Sequence, residues 1–189
     1  MKSEWKSSAR ALAVLTLLTG IAYPLAVTLF AHLGFRDLAQ GSLLTKDGRI
    51  VGSSLIAQKF TDAKYFQPRP SSSDYATFPA GASNLSPASQ TLAEGVKKRR
   101  GELEKETPGE VPADLLTTSA SGLDPHISPA AARFQLAQVA RARGVTPEEL
   151  SPMIAQSVED RTLGIFGVPR VNVLRLNLLI DTRFRKGAE

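Results

Sequence analysis

The chain has 189 residues, carries 23 basic against 18 acidic side chains, and contains no cysteine. The lack of cysteine excludes disulfides and thiolate metal sites. The polar part of the chain, of roughly 150 residues, is long enough to bury a core without such crosslinks.

The most informative segment is an apolar run near the amino terminus. The stretch from Ala11 to Leu33 is almost continuously apolar, and no charged residue lies between Arg10 and Arg36. At about 1.5 Å per residue, such a helix exceeds the roughly 30 Å hydrocarbon core of a bilayer. A cleaved signal peptide is the alternative, but its apolar region usually has about 7–15 residues and ends at a small-x-small site, which is missing here. We expect an uncleaved membrane anchor over residues 11–33.

Two residues interrupt this predicted helix. Gly20 and Pro24 are tolerated where a neighbouring transmembrane helix packs against them, and they can also simply face lipid. The sequence leaves both alternatives open.

The charges that flank the anchor predict its orientation. Lys2, Lys6 and Arg10 precede it, whereas Arg36 is followed at once by Asp37. The positive-inside rule then places residues 1–10 in the cytoplasm as a short stub. We expect residues 36–189 to form one soluble domain on the extracytoplasmic side.

The first half of this domain contains a hairpin, a long loop and a helix. Asp47-Gly48 lies between two apolar strands within Gly41–Ser53, which is a strong hairpin signal. Residues 65–87 are rich in Pro, Ser, Gly and Asn and predict a loop. Ser86-Pro87 has the N-cap and N1 residues of a helix that would run to about Glu106.

The basic run Lys97–Arg100 belongs to this predicted helix. Glu102, Glu104 and Glu106 follow it, at a spacing that allows ion pairs across one helical turn. No aromatic residues alternate with the charges, as they would on a surface that binds single strands. We therefore expect a solvated helix face and no nucleic-acid partner.

The second half begins with the clearest helix signal in the chain. Ser128-Pro129 predicts the start of a helix that runs to Arg143, and Gly144 supplies a left-handed stop.

Further helical and extended segments follow. Thr146-Pro147-Glu148-Glu149 is a capping box, but Pro152 predicts a break and a second helix that starts at Ser151-Pro152 and ends near Gly164. Residues 171–181 alternate between apolar and polar side chains, which predicts a strand with one buried face. The expected fold class is α+β: one transmembrane helix followed by a single mixed α/β domain.

One polar segment brings together residue types that could carry chemistry. Residues 117–128 contain Ser121, Asp124 and His126, the types of a nucleophilic triad. However, a nucleophile elbow is absent and the three residues lie too close together for the usual assembly. A metal site lacks partners other than carboxylates. Anion binding at the helix start and a tight loop with capped backbone groups are the remaining alternatives.

A second dense cluster is Phe66-Gln67-Pro68-Arg69-Pro70-Ser71, with Tyr65 and Tyr75 nearby. Rigid aromatic and arginine side chains suit a protein interface, and they equally suit a loop packed on its own domain. Neither a phosphate-binding Gly-x-x-x-x-Gly-Lys-Ser/Thr nor the Asp-Lys-Thr-Gly of a phosphorylated pump is present. We do not expect this chain to be a catalyst on its own.

Besides the anchor, the chain contains several ordered blocks of unusual composition: Gly52–Gln58, Tyr65–Ser71, Gly81–Leu85, Thr118–Ser128 and Val171–Asn177. Together they resemble one known family, the C chain of the bacterial potassium-transporting P-type ATPase, or KdpC family. Ala57 departs from the family, where glycine is expected.

The resemblance implies a complex in the bacterial inner membrane. In it, a channel-like A chain binds potassium, a P-type B chain hydrolyses ATP, and a small F chain accompanies them. The C chain is described as a catalytic chaperone that raises the affinity of the B chain for ATP. An exported domain cannot touch cytoplasmic nucleotide, so such an effect would have to pass through packed transmembrane helices. We expect no cofactor on this chain itself and ATP on the B chain.

The expected role is therefore that of a non-catalytic subunit docked on the outer face of the channel-like chain. A membrane-anchored extracytoplasmic hydrolase and an anchored ligand-binding domain are the alternatives. The candidate partner contacts are Tyr65, Phe66, Arg69, Tyr75, Asn84, Asp124 and His126.

Overall fold

The structure is a computed structural model that describes residues 2–184. The chain divides into two compact units, Met1–Leu43 and Leu44–Glu189. The first unit is helical throughout most of its length. Its elements are α1 (Lys2–Leu15), a π-helical segment (Thr16–Ala22), α2 (Tyr23–Gly34) and the short α3 (Arg36–Ala39).

The long helix is widened by one π-helical segment and is not broken. Pro24 has no N–H, so an α-helix would leave the carbonyl of Gly20 without its donor. The segment ends at Tyr23, whose N–H bonds to the carbonyl of Leu18, five residues back. Residues Glu4–Gly34 form a 31-residue helix that is long and apolar enough to cross a membrane.

The second unit begins with the predicted hairpin. Strand β1 (Leu43–Lys46) pairs with β2 (Arg49–Ser53). Asp47 and Gly48 both have positive φ, 53° and 75°, as a primed two-residue turn requires. No helix or strand is assigned between Ser53 and Gln90, which confirms the long loop.

Helix α4 (Gln90–Glu106) starts later than predicted. Ser86 does not cap it: the N–H of Ser89 bonds to the carbonyl of Ser86 at 2.9 Å, which forms a separate turn before the helix. Within the basic run, Arg99 turns toward the domain, where its Nε donates to the carbonyl of Leu116 at 2.6 Å. Leu116 ends the short helix α5 (Ala113–Leu116).

Helix α6 (Pro129–Arg143) follows its sequence signals closely. Ser128 Oγ accepts from the N–H of Ala131, and Gly144 ends the helix with φ 70°. Helix α7 (Pro147–Gln156) has the predicted capping box between Thr146 and Glu149.

The predicted break at Pro152 was wrong, because α7 continues through it to Gln156. A proline here removes only one hydrogen bond, to the carbonyl of Glu148 in the first turn. Glu148 is exposed, so solvent can satisfy that carbonyl. The segment after α7 forms a short strand instead of a second helix that ends at Gly164.

A small antiparallel sheet joins distant parts of the chain. Its strands are β3 (His126–Ile127), β4 (Val158–Glu159) and β5 (Arg170–Asn172), in the order β3-β5-β4. The register pairs His126 with Asn172 and Glu159 with Arg170.

The predicted strand over residues 171–181 was also wrong beyond Asn172. Helix α8 (Val173–Arg183) begins there, because the side chain of Asn172 caps it by accepting from the N–H of Arg175. Val173, Leu176 and Ile180 are buried at helical spacing. The leucine-rich run fits both the two-residue repeat of a strand and the 3.6-residue repeat of a helix. Burial against the rest of the domain selects the helix.

The core lies between the loop that contains Phe66 and the helices α6, α7 and α8. Its largest fully buried apolar side chains are Phe66, Ile127, Leu150, Leu176 and Ile180. The fold is therefore α+β: an apolar amino-terminal helix followed by one mixed α/β domain.

Candidate partner-contact site

Two side-chain amides position the loop that carries the first candidate residues. Asn177 Oδ1 accepts from the N–H of Phe66 at 2.9 Å, and Gln135 Oε1 accepts from the N–H of Gln67 at 2.7 Å. Each amide nitrogen donates back to the carbonyl of the same residue. Phe66 itself is fully buried, so its side chain packs on its own domain and is not available to a partner.

This clamped segment leads directly to Arg69. Arg69 Nη1 lies 3.3 Å from Asp124 Oδ2, and Nη2 donates to Thr117 Oγ1 at 3.5 Å. Tyr75 donates its hydroxyl to the carbonyl of Arg69 at 2.8 Å. Arg69 Nε is buried, and the described residues provide no hydrogen-bond acceptor for its N–H.

Asp124 links Arg69 to the histidine of the domain. Asp124 Oδ1 accepts from the N–H of His126 at 3.0 Å and lies 3.7 Å from His126 Nδ1. Burial acts to raise the pKa of Asp124, but the contacts with His126 and the charge of Arg69 outweigh it and hold the pKa below its ordinary value. The carboxylate is therefore charged at neutral pH.

The charged groups continue on the other side of His126. Its Nε2 lies 3.8 Å from Glu159 Oε2, which accepts from Arg170 Nε at 3.0 Å. Between 27% and 45% of each side chain in the cluster remains exposed. The contact cluster, as we call it, consists of Arg69, Asp124, His126, Glu159 and Arg170.

A cleft of about 510 Å³ opens beside the contact cluster. Asp114 lies in it, where its carboxylate accepts from the N–H of Ser128 at 2.7 Å at the start of α6. The carboxylate of Asp114 therefore already occupies the start of α6, where the sequence analysis allowed an anion to bind. The cleft walls are Arg69, Ala113, Asp114, Asp124, His126, Ile127, Ser128, Val168, Pro169 and Arg170.

The other candidate residues lie apart from this cluster. Tyr65 donates its hydroxyl to Asp181 Oδ2 at 3.1 Å, and Asp181 also pairs with Lys46 at 2.7 Å and Arg143 at 2.8 Å. Asn84 is exposed in the long loop and has φ 52°.

The hydrolase alternative requires contact between a nucleophile and a base. Ser121 Oγ accepts from the N–H of Leu123 at 3.1 Å, and the ring nitrogens of His126 face two carboxylates. Among the described residues, no hydrogen bond joins Ser121 to His126. Within the same part of the chain, no group of three or more histidine, cysteine or acidic residues is arranged to hold a metal ion.

Glu159 and Arg170 are the members of the contact cluster that sequence reasoning missed. They lie far from Asp124 in the chain and meet it only because β5 pairs with both β3 and β4. No local sequence motif predicts that Glu159 and Arg170 pair, and residues 158–159 were expected to be helical.

Together, these features define a class: a mixed α/β domain that carries a charged contact cluster and follows a single apolar helix long enough to span a membrane. The family model described as "KdpC: K+-transporting ATPase, c chain" matches residues 5–182. The chain therefore belongs to the KdpC family, the c chains of potassium-transporting ATPases.

Individual relatives agree over nearly the whole chain. A protein of Rhodospirillum rubrum is 51% identical over 177 residues, which cover 91% of this chain and 92% of the relative. One from Bradyrhizobium diazoefficiens is 49% identical, with 90% and 92% covered, and one from Myxococcus xanthus is 50% identical, with 97% and 90% covered. Each is described as a potassium-transporting ATPase KdpC subunit.

Proposed function

We propose that this chain is the non-catalytic accessory subunit of a high-affinity, ATP-driven potassium uptake complex. The family match along residues 5–182 is the observation that carries the proposal. The partners would be a channel-like A chain, a P-type B chain that binds ATP, and a small F chain. This chain would hold no cofactor of its own.

The proposed topology follows the flanking charges. Residues 1–10 would lie in the cytoplasm, residues 11–33 would span the bacterial inner membrane, and residues 36–189 would form the extracytoplasmic domain. Any effect of the subunit on ATP binding by the B chain would then pass through packed transmembrane helices.

The contact cluster would dock on the channel-like chain. It is partly exposed, borders a cleft and contains the guanidinium of Arg69, whose Nε–H has no acceptor among the described residues. Arginine in a partly desolvated, charged setting is typical of residues that dominate binding. Charges of both signs would give orientation and specificity to the contact.

A pull-down in mild detergent tests the proposal. The tagged full chain should co-elute with a P-type ATPase and a multi-spanning channel-like chain, and the eluate should show potassium-stimulated, vanadate-sensitive ATP hydrolysis. A folded chain that elutes alone and without that activity would refute the subunit role.

Substitutions then test the docking surface. Arg69→Ala and Asp124→Ala should each reduce co-elution on the order of tenfold, the ratio that corresponds to about 1.4 kcal/mol of binding. Glu104→Gln, on the exposed face of α4, serves as the control and should leave co-elution unchanged. Protease resistance of each variant shows whether it is folded. Folded Arg69 and Asp124 variants that co-elute normally would exclude this surface.

A further inference from the structure

The loop that joins β4 to β5 exposes an unusual amount of apolar surface. Its four large side chains are largely solvent-exposed: Leu163 by 83%, Ile165 by 72%, Phe166 by 64% and Val168 by 69%. We call residues 161–168 the apolar loop. Soluble domains rarely leave such a contiguous group uncovered, which marks it as an interaction surface.

The apolar loop is held in shape by its own backbone. The N–H of Thr162 bonds to the carbonyl of Phe166 at 2.9 Å, and the N–H of Phe166 bonds back to the carbonyl of Thr162 at 3.0 Å. The N–H of Gly164 bonds to the carbonyl of Arg161 at 3.0 Å. A loop already ordered in this way loses little conformational entropy when it binds.

The base of the apolar loop is continuous with the contact cluster. Glu159 and Arg170 pair in register where β4 and β5 meet the loop, and their side chains belong to the cluster. Val168 and Arg170 line the same cleft as Asp124. The apolar loop and the charged contact cluster at its base therefore form one continuous surface. Protein interfaces typically combine an apolar centre with a polar rim in this way.

The charges around the loop favour a protein partner over a lipid surface. Residues 159–170 carry two acidic and two basic side chains, and Glu159 faces Arg170, Arg175 and His126. The loop itself thus has no cationic excess to attract anionic headgroups. A rim of both signs instead requires a partner with complementary charges at fixed positions.

We propose that the apolar loop docks into an apolar recess on the channel-like chain, the partner proposed for the contact cluster, and that complementary charges line the edge of this recess. This rests on the proposed function and assigns the apolar part of the contact to one loop. The contact cluster at its base then fixes the orientation of the docked domain.

A single-cysteine experiment tests this directly, because the chain has no cysteine. Leu163→Cys is labelled with an environment-sensitive fluorophore in the full chain, reconstituted alone and co-expressed with its complex. Phe78→Cys is the matched control, since Phe78 is an apolar side chain, 92% exposed, on a different loop. Complex formation should blue-shift the emission at residue 163 and reduce its quenching by aqueous iodide several-fold, whereas residue 78 should stay unchanged.

A quencher attached to the lipid shows whether the apolar loop is covered by the partner subunit or by the bilayer. Quenching by that lipid at residue 163 in the chain alone would assign the loop to the bilayer and overturn the proposal. Equal iodide quenching at residues 163 and 78 in the assembled complex would also overturn it.

A second variant does not depend on the label. Ile165→Asp should reduce co-elution of the complex at least about tenfold, as loss of a central apolar contact does, and Phe78→Asp should not. Normal co-elution of Ile165→Asp would overturn the docking proposal while leaving the subunit role intact. Failure of the unmodified chain to co-elute would instead refute the subunit role, and the docking proposal with it.

Discussion

The side chain of Asn177, in helix α8, forms hydrogen bonds with both the N–H and the carbonyl of Phe66. Its Oδ1 accepts from the N–H of Phe66 at 2.9 Å, and its Nδ2 donates to the carbonyl of the same residue at 3.0 Å. Gln135 of α6 repeats the arrangement at Gln67. The loop that leads to Arg69 is thus bound between two helices as a strand would be bound in a sheet, and this fixes one end of the contact cluster.

Substitution of Asn177 by Leu should destabilise the domain strongly. The change keeps the volume but leaves a buried N–H and a buried carbonyl of Phe66 without partners, at a cost of about 1–3 kcal/mol for each group. We expect a loss of about 3 kcal/mol in the free energy of unfolding, measured by pulse proteolysis in urea and mild detergent. Gln156→Leu, at an exposed amide, is the control. Similar small losses for both variants would show that the two hydrogen bonds between Asn177 and the main chain of Phe66 contribute little to stability.

Asp181 should make the domain sensitive to acid. Burial acts to raise its pKa, but hydrogen bonds from Lys46, Arg143 and Tyr65, together with the charge of Lys46, outweigh it and lower the pKa from 3.8. The folded state therefore binds the proton less readily than the unfolded state. The stabilisation is present above the unfolded pKa and disappears as the pH falls through the lower folded pKa.

The variant Asp181→Asn tests this linkage. It should lose about 2 kcal/mol at neutral pH, since it gives up charge-assisted hydrogen bonds. Its stability should then fall less steeply than that of the unmodified chain on acidification below about pH 5. Asp160→Asn, at an exposed carboxylate, is the control. Parallel acid profiles for the unmodified chain and Asp181→Asn would refute the prediction.

Tyr75 should keep its phenolic proton to unusually high pH. Burial, with a smaller contribution from the charge of Asp74, raises the pKa of its hydroxyl to about 12. The folded state thus retains the proton more strongly, so this stabilisation is complete below about pH 10 and is lost between about pH 10 and 12. In an absorbance titration of phenolate, Tyr75→Phe should lack the ionisation that Tyr75 contributes between about pH 10 and 12. The same variant should lose about 1 kcal/mol, because the carbonyl of Arg69 loses its donor. Identical titration curves for the unmodified chain and Tyr75→Phe would contradict this prediction.

Gly122 should tolerate alanine less well than Gly144. Both have left-handed backbone, with φ 72° and 70°. A Cβ at Gly122 would lie 2.8 Å from the carbonyl oxygen of Gly81, whereas one at Gly144 would meet nothing within 4 Å. Gly144→Ala should therefore cost about 1 kcal/mol from backbone strain alone. Gly122→Ala should cost about 1–3 kcal/mol more from overpacking. Equal losses in the free energy of unfolding for the two variants, measured in urea, would show that the loop around Gly122 can relax.

Most signals that act within a few residues were predicted correctly, although the helix start expected at Ser86 was not. The Asp47-Gly48 turn, the Ser128 cap, the Gly144 stop and the capping box at Thr146 each depend on backbone geometry that neighbouring residues impose. The long apolar helix is of the same kind, because length and apolarity alone decide whether a helix can span a bilayer.

Errors arose where local preference left a choice. Residues 171–181 fit a strand pattern, but burial of Val173, Leu176 and Ile180 against the core selected a helix after Asn172. Pro152 argued for a break, yet its single lost hydrogen bond falls in a solvated first turn and α7 continues.

The sequence by itself determined the long apolar helix and most caps and turns, and it singled out three residues that the structure brings together: Arg69, Asp124 and His126. Only the tertiary structure added Glu159 and Arg170, which reach His126 through the pairing of β5 with both β3 and β4. It also showed that the side chain of Phe66 is fully buried and that Asn177 bonds its main chain. The physical reason is range: caps and turns are satisfied by neighbouring residues, whereas burial and ion pairs depend on groups that meet only when the chain has folded.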